Sequence, residues 1–398
     1  MKKSVLIINY YYPPINNGGV QRIVSFKKYL EVYGFHVSIL TTNSYGVLSD
    51  DDEKSIFRYP DGGVEFIKKS SQQIGLIFRL IRRLQLYMGL ITDGKYYWKK
   101  EVIKNLDKLF EDNTFDIVIA SYPTPAALEI GEIIHKKYNI PLIVDYRDGL
   151  MFDPFPQYKR NSIFFNIRLR NLEKRLAKNA SLHLTVNDEM NDYYSSHYPK
   201  VKSVVISNGF DDEEELTGES LTLPEGKNVI YTGALSKSRE IYNNAQLFKC
   251  LEVMFCHNPS INYTFVGDYT NEEKEFFGRF ANVKVWNKMP RQIVLATQRS
   301  ADAFLLVSGP KGGTSGKLYE YLFAKKPIIN IGGKEGVGEI INGINYGSTC
   351  DINDLNSIIA FIDLLYEGKI KYEYPDLIRY TRRFQCEKLA TELKTIIG

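Results

Sequence analysis

Short apolar runs recur along the chain with helix-compatible stretches between them, and this alternation confines the fold to parallel sheets covered by helices on both faces. Strands are predicted at 4–9, 36–41, 64–67, 115–120, 140–145, 181–186 and 201–206, and helices at 20–33, 74–91 and 124–138. Gly34 stops the first of these helices. The pattern breaks at the acidic run 211–215 and the Gly-, Pro- and polar-rich stretch 217–227, which reads as a solvated connection. It restarts with strands at 229–231, 262–266, 283–285, Ala303–Val307 and 327–331 and helices at 242–255, 291–298, 335–341 and Leu355–Tyr366. An amphipathic helical run, 376–397, closes the chain. Two such series within 398 residues predict an α/β protein of two facing Rossmann-like domains with the ligand in the cleft between them. The expected bounds are 1–207, 208–375, and a C-terminal helix at 376–398 that returns to the first domain.

One loop carries the sharpest chemistry. Ala303–Val307 leads into Gly-Pro-Lys-Gly-Gly-Thr-Ser-Gly-Lys-Leu-Tyr-Glu-Tyr-Leu at 309–322, a strand, a glycine-rich loop and a helix start. Glycines there let backbone N–H groups approach an anion, and Ser315 fits an N-cap. Lys317 in the first turn can reach the same anion, while Glu320 one turn later can accept bonds from vicinal hydroxyls. Together they suggest a nucleotide diphosphate with its ribose. The structural alternative is an exposed Lys317–Glu320 pair beside an ordinary turn.

Gly18-Gly19 also opens a helix after a strand, without the G-x-G-x-x-G dinucleotide fingerprint. Asp145-Tyr146-Arg147-Asp148 ends another strand, where charged residues face the ligand crevice of an open α/β sheet, and Asp145, Arg147 and Asp148 are therefore candidate catalytic groups. An internal Arg147–carboxylate bridge is the alternative. The 74–91 helix carries Arg79, Arg82 and Arg83, with Lys95, Trp98, Lys99 and Lys100 following. It reads either as a membrane-surface element or as a core-packed helix whose arginines snorkel to water.

A net charge of +4 gives no support for a nucleic-acid partner. Cys250, Cys256, Cys350 and Cys386 are scattered, the five histidines have no ligand spacing, and no metal site is expected. Residues 1–8 lack the apolar length of a signal peptide, and nowhere do about 18 apolar residues follow one another. A cytoplasmic protein is expected.

These motifs resemble those of a GT-B glycosyltransferase of glycosyltransferase family 4. The resemblance spans 18–22, 145–148, Ser207-Asn208-Gly209-Phe210-Asp211, Tyr231-Thr232-Gly233 and 315–322. It implies transfer of a sugar from a nucleotide diphosphate, a UDP-sugar being favoured, to a glycan or lipid-linked acceptor, with retention at the anomeric carbon and without a cofactor or required metal. It further implies that Glu320 holds the donor ribose, that Lys317 with the amides of Ser315 and Gly316 contacts the diphosphate, and that Gly18 and Gly19 approach the donor phosphate and acceptor. Gly233, Gly313 and Leu318 complete the implied donor site. Two positions depart from the family. Gly312 stands where many members carry a glutamate, and Ala234 where many carry an arginine, which leaves Lys237 or Arg239 to supply the charge. Asp148 or Asp145 would position the acceptor. Bacterial surface polysaccharide synthesis at the inner face of the cell membrane, reached through the 74–100 region, is the expected setting. An epimerase on the same fold would need no acceptor, and a non-catalytic binding partner would give no product.

Overall fold

The computed structural model describes residues 2–15, 18–47, 54–152, 162–214, 218–235, 244–309, 316–345, 347–370 and 377–398. Met1–Asn208 with Arg382–Gly398 form one compact unit, and Gly209–Thr381 form another.

The first unit is built on strands β1 (Lys3–Ile8), β2 (Phe35–Thr42), β3 (Ile56–Tyr59), β4 (Ile117–Tyr122), β5 (Leu142–Tyr146), β6 (Leu182–Thr185) and β7 (Ser203–Val205). They pair in the order β3-β2-β1-β4-β5-β6-β7, every pairing parallel. Burial on both faces explains the unbroken apolar runs: Val5, Leu6, Ile7 and Ile8 on β1 are all fully buried. The closing helix Arg382–Ile397 belongs to this unit and inserts Cys386, Leu389 and Leu393 into a core shared with Ile23, Phe26 and Leu30.

The second unit contains β8 (Lys227–Thr232), β9 (Ile261–Val266), β10 (Val283–Trp286), β11 (Ala303–Val307), β12 (Ile328–Ile331) and β13 (Gly347–Cys350), ordered β10-β9-β8-β11-β12-β13 and again all parallel.

Three elements differ from the sequence expectation. Residues 64–67 are helical, within Gly62–Lys69, and the edge strand is β3. Asp61 decides this locally: its carboxylate caps the helix by accepting from the amides of Gly63 and Val64 at 3.0 and 3.4 Å, which overrides the strand-like Val-Glu-Phe-Ile composition. The C-terminal helix begins at Arg382, because Ile378–Tyr380 form a 3-10 turn and extended Thr381 bridges in parallel to Phe210. The 74–91 helix runs over Gln72–Tyr87 and is not packed by its apolar side. The helices Ile163–Asn179, Asp188–His197 and Asn271–Phe277 had no sequence expectation. The last is fixed by a capping box in which Thr270 and Glu273 each receive the other's backbone N–H.

Candidate functional site

In an open parallel sheet the crevice for ligands lies beyond the carboxyl ends of the strands where the connections change direction. In the first unit that point falls between β1 and β4.

The helix Gly18–Val32 starts after β1, and on it Arg22 makes the densest polar contact of this edge. Its guanidinium binds the Asp145 carboxylate through Nη2 at 2.7 Å and Nε at 3.2 Å, and its Nη1 donates to the carbonyls of Ile206 and Ser207 at 2.7 and 3.3 Å. Ser121 on β4 donates its hydroxyl to the other carboxylate oxygen at 2.7 Å. Asp145 has no exposed surface. The expectation that it acts on an acceptor is corrected accordingly: both of its oxygens are engaged internally, and it holds helix, strand and the exit from the unit together.

Arg147 and Asp148 lie just past β5 and pair with each other at 3.2 Å. Arg147 also fills the space that Gly19 leaves open: a Cβ on Gly19 would stand 1.3 Å from Arg147 Nη1. The structure thus joins two motifs that are 128 positions apart in number, Gly19 and Arg147. Their loop is anchored from beneath, Met151 N–H donating to Glu173 at 2.9 Å and Leu150 N–H to the Tyr194 hydroxyl at 3.2 Å. We expect Gly19→Ala to leave the fold intact, since only the end of a flexible side chain must move, and to lower turnover roughly tenfold by displacing the guanidinium. Denaturant unfolding beside a turnover assay checks this; unchanged turnover would separate Arg147 from the reaction.

In the second unit the corresponding point lies between β8 and β11. Gly233 follows β8 with φ of +94°, and its missing side chain makes room for Lys317, whose Cε and Nζ would lie 2.7 and 2.9 Å from a Cβ there. Lys317, in the first turn of the helix Gly316–Ala324, donates to the Tyr231 hydroxyl at 2.8 Å, and that hydroxyl donates to the Ala234 carbonyl at 2.8 Å. Glu320 turns to a different partner, accepting from Arg291, which also binds Glu214 through two bonds of 3.0 Å. Burial pushes the pKa of the Arg291 guanidinium down, but the bonds and charges of Glu214 and Glu320 outweigh this and hold it above the ordinary arginine value. Lys317 and Glu320 are both partly exposed. Gly316 is exposed at the helix start, whereas Leu318 is buried in the core, so the expected donor contact of Leu318 falls to its backbone amide alone. Lys237, Arg239, Gly312, Gly313 and Ser315 lie outside the described residues; Gly18 is described only as the first residue of its helix.

Arg22, Ser121, Tyr231 and Arg291 were not singled out by sequence reasoning, although Arg22 and Tyr231 lie inside quoted motifs. Arg291 opens a helix, and nothing in its local sequence points to Glu320. Among the described residues no three His, Cys, Asp or Glu side chains converge to hold a metal.

Two parallel-sheet units with charged and glycine-bearing loops at their carboxyl ends define the GT-B class of glycosyltransferases. The fold is similar to that of trehalose-6-phosphate synthase OtsA (TM-score 0.66, 12% identity, covering 98% of this chain and 99% of that one). It is also similar to sucrose-phosphate synthase from Thermosynechococcus elongatus (0.62, 12%, 99% and 98%) and to Anabaena HepE in complex with UDP-glucose (0.61, 16%, 98% and 99%). No curated protein matches the sequence. The profile of Glycosyltransferase Family 4 matches residues 16–214, and the chain belongs to that family.

Proposed function

We propose that this glycosyltransferase moves a sugar from a UDP-sugar to a glycan or lipid-linked acceptor with retention at the anomeric carbon and without a metal ion, in bacterial surface polysaccharide synthesis on the inner face of the membrane. The observation that carries the donor reading is the convergence of Lys317 on Gly233, with Glu320 one turn further along the same helix. An ammonium held beside a glycine turn offers charge to a diphosphate, and a partly exposed carboxylate offers acceptors to ribose hydroxyls. Arg291 holds that carboxylate in place until the hydroxyls arrive.

Departure of the diphosphate develops negative charge, which Lys317 and the N-terminal dipole of Gly316–Ala324 stabilise. In the same-face reaction the acceptor oxygen bonds to the anomeric carbon as the bond from that carbon to the diphosphate oxygen breaks. The acceptor proton passes to the departing phosphate oxygen. Asp148, with Arg147 beside it, positions the acceptor.

Calorimetric titration with UDP, GDP and ADP tests the donor site. UDP is expected to bind preferentially, and folded Lys317→Ala and Glu320→Ala variants to lose about 1–3 kcal/mol each. Binding that is unchanged in both variants would remove the site assignment. Acceptor-dependent turnover then separates transfer from epimerisation or simple binding, NMR of the product reads the anomeric configuration, and turnover should survive dialysis against EDTA.

A further inference from the structure

The helix Gln72–Tyr87 carries its apolar stripe on the outside. Ile77, Leu80, Ile81 and Leu84 share one face at i, i+3, i+4 and i+7, and their exposures run from 51% at Ile81 to 64% at Leu80. The opposite side is the packed one: Phe78 lies against Phe66 and Tyr97 with ring centroids 4.8 and 5.4 Å away, and Gly75 is buried near Ile67. A core-packed helix would have the reverse arrangement.

The surface continues onto a second segment. Ser162 donates its hydroxyl to the Tyr87 carbonyl, and a Cβ on Gly89 would stand 2.7 Å from the Phe164 carbonyl oxygen, so the backbones meet closely. Phe164 and Ile167, exposed by 58% and 50%, thereby extend the stripe. A contiguous apolar area of this kind marks a docking surface.

Charge identifies what docks. Arg79 and Arg83 are exposed along one border of the stripe, and the helix contains no carboxylate. At the seam a recess of about 290 Å³ is lined in part by Arg168, which pairs with Glu129 through Nη2 at 3.9 Å while its Nε has no hydrogen-bond partner. An apolar face bordered by guanidinium groups matches the acyl boundary and anionic headgroups of a bilayer. A two-fold copy of this chain would instead bring the helix's arginines toward one another with no acid on it to pair them.

We propose that this two-segment surface docks the first unit on an anionic lipid bilayer. The helix Ile163–Asn179 follows β5 and precedes the parallel strand β6, so its first turn, with Phe164, lies at the sheet edge that bears Arg147 and Asp148. Docking would bring that edge to the membrane. The inference deepens the reading of a lipid-linked acceptor and rests on it for the identity of the membrane-borne substrate, whereas the binding itself rests on the surface.

The test is co-sedimentation of the full chain with vesicles of phosphatidylcholine and of phosphatidylcholine mixed with phosphatidylglycerol, together with UDP titration of every variant. The native protein should bind the mixed vesicles at least about tenfold more tightly. Leu80→Gln/Leu84→Gln should lose at least about tenfold on the mixed vesicles, and Arg79→Gln/Arg83→Gln should lose most of the phosphatidylglycerol preference. Native fluorescence of buried Trp98 and a native urea midpoint show that the first unit of each variant is folded, and UDP binding reports the second. Native protein that binds UDP but neither vesicle overturns the docking surface. So does a native dimer that Leu80→Gln/Leu84→Gln turns into monomer without any vesicle binding. Vesicle binding without UDP binding would instead overturn the donor reading and leave this surface standing.

Discussion

Replacing Arg22 with methionine will destabilise the first unit by about 3–5 kcal/mol, because it leaves the Asp145 carboxylate buried without its cation. The side chains of this pair are 3% and 0% exposed, so solvent cannot take over the lost partner. Ser121 remains as a single hydroxyl donor. The same guanidinium stacks over the Phe26 ring at 4.7 Å and ties the Ile206 and Ser207 carbonyls, just before the chain leaves the unit after Asn208. Buried Trp98 reports this unit by fluorescence once the other tryptophan, Trp286 in the second unit, is changed to phenylalanine. Urea unfolding in that background gives the comparison. Arg22→Met/Asp145→Leu should recover most of the loss, since removing both charges removes the unpaired one. A loss below about 1 kcal/mol in the single variant would mean that the pair does not organise this edge.

The strands were legible because the sheets are covered on both faces. Ala303–Val307 reads as a strand from its composition alone, since all five residues are buried and none had to alternate with polar ones. Leu355–Tyr366 reads as a helix because its apolar positions recur at helical spacing over three turns. Residues 64–67 misled because a short Val-Glu-Phe-Ile run satisfies both periods, and the arbiter is Asp61, a cap whose side chain is buried against Tyr10. Helix Ile163–Asn179 escaped notice since its exposed positions mix Arg and Lys with Ile and Phe, which blurs a two-sided pattern.

Site residues were legible as types and loops, and less so as orientations. Asp145 and Asp148 stand three positions apart with the same chemistry, yet one is the charged residue inside β5 and the other lies beyond it. The sequence carries no mark of that boundary. Gly19 and Arg147 each appear in a recognisable motif, but that one occupies the side-chain space of the other is a property of the sheet order, which places β1 and β5 on either side of β4. Arg291 shows the same limit in the second unit, where a helix start supplies the cation for Glu320 on the next helix. In each case the missing information is tertiary.

Replacing His183 with phenylalanine will make the first unit progressively more acid-resistant than the native protein. His183 has no exposed surface, neither ring nitrogen has a hydrogen-bond partner, and burial pushes its pKa down from 6.5 to about 4. Its neighbours are the rings of Tyr146, Tyr194 and Tyr198, with Glu173 engaged by the hydroxyls of Tyr194 and Tyr198. The folded state therefore keeps the imidazole neutral, while the unfolded chain protonates it at the ordinary value. Above pH 6.5 both states are neutral and the histidine adds no pH dependence; below 6.5 the unfolded state binds the extra proton, and stability falls until the folded pKa near 4 is passed. The full loss corresponds to about 3 kcal/mol. Phenylalanine fills similar space without unpaired nitrogens, so the variant should equal or exceed native stability near neutrality and gain on it by about 1.4 kcal/mol per pH unit below 6.5. Carboxylates that titrate in the same range act on both proteins and cancel in the difference. Unfolding curves at several pH values, read by Trp98, would show parallel stabilities for the two proteins if the histidine reaches a proton acceptor when folded, and diverging ones if burial alone sets its charge.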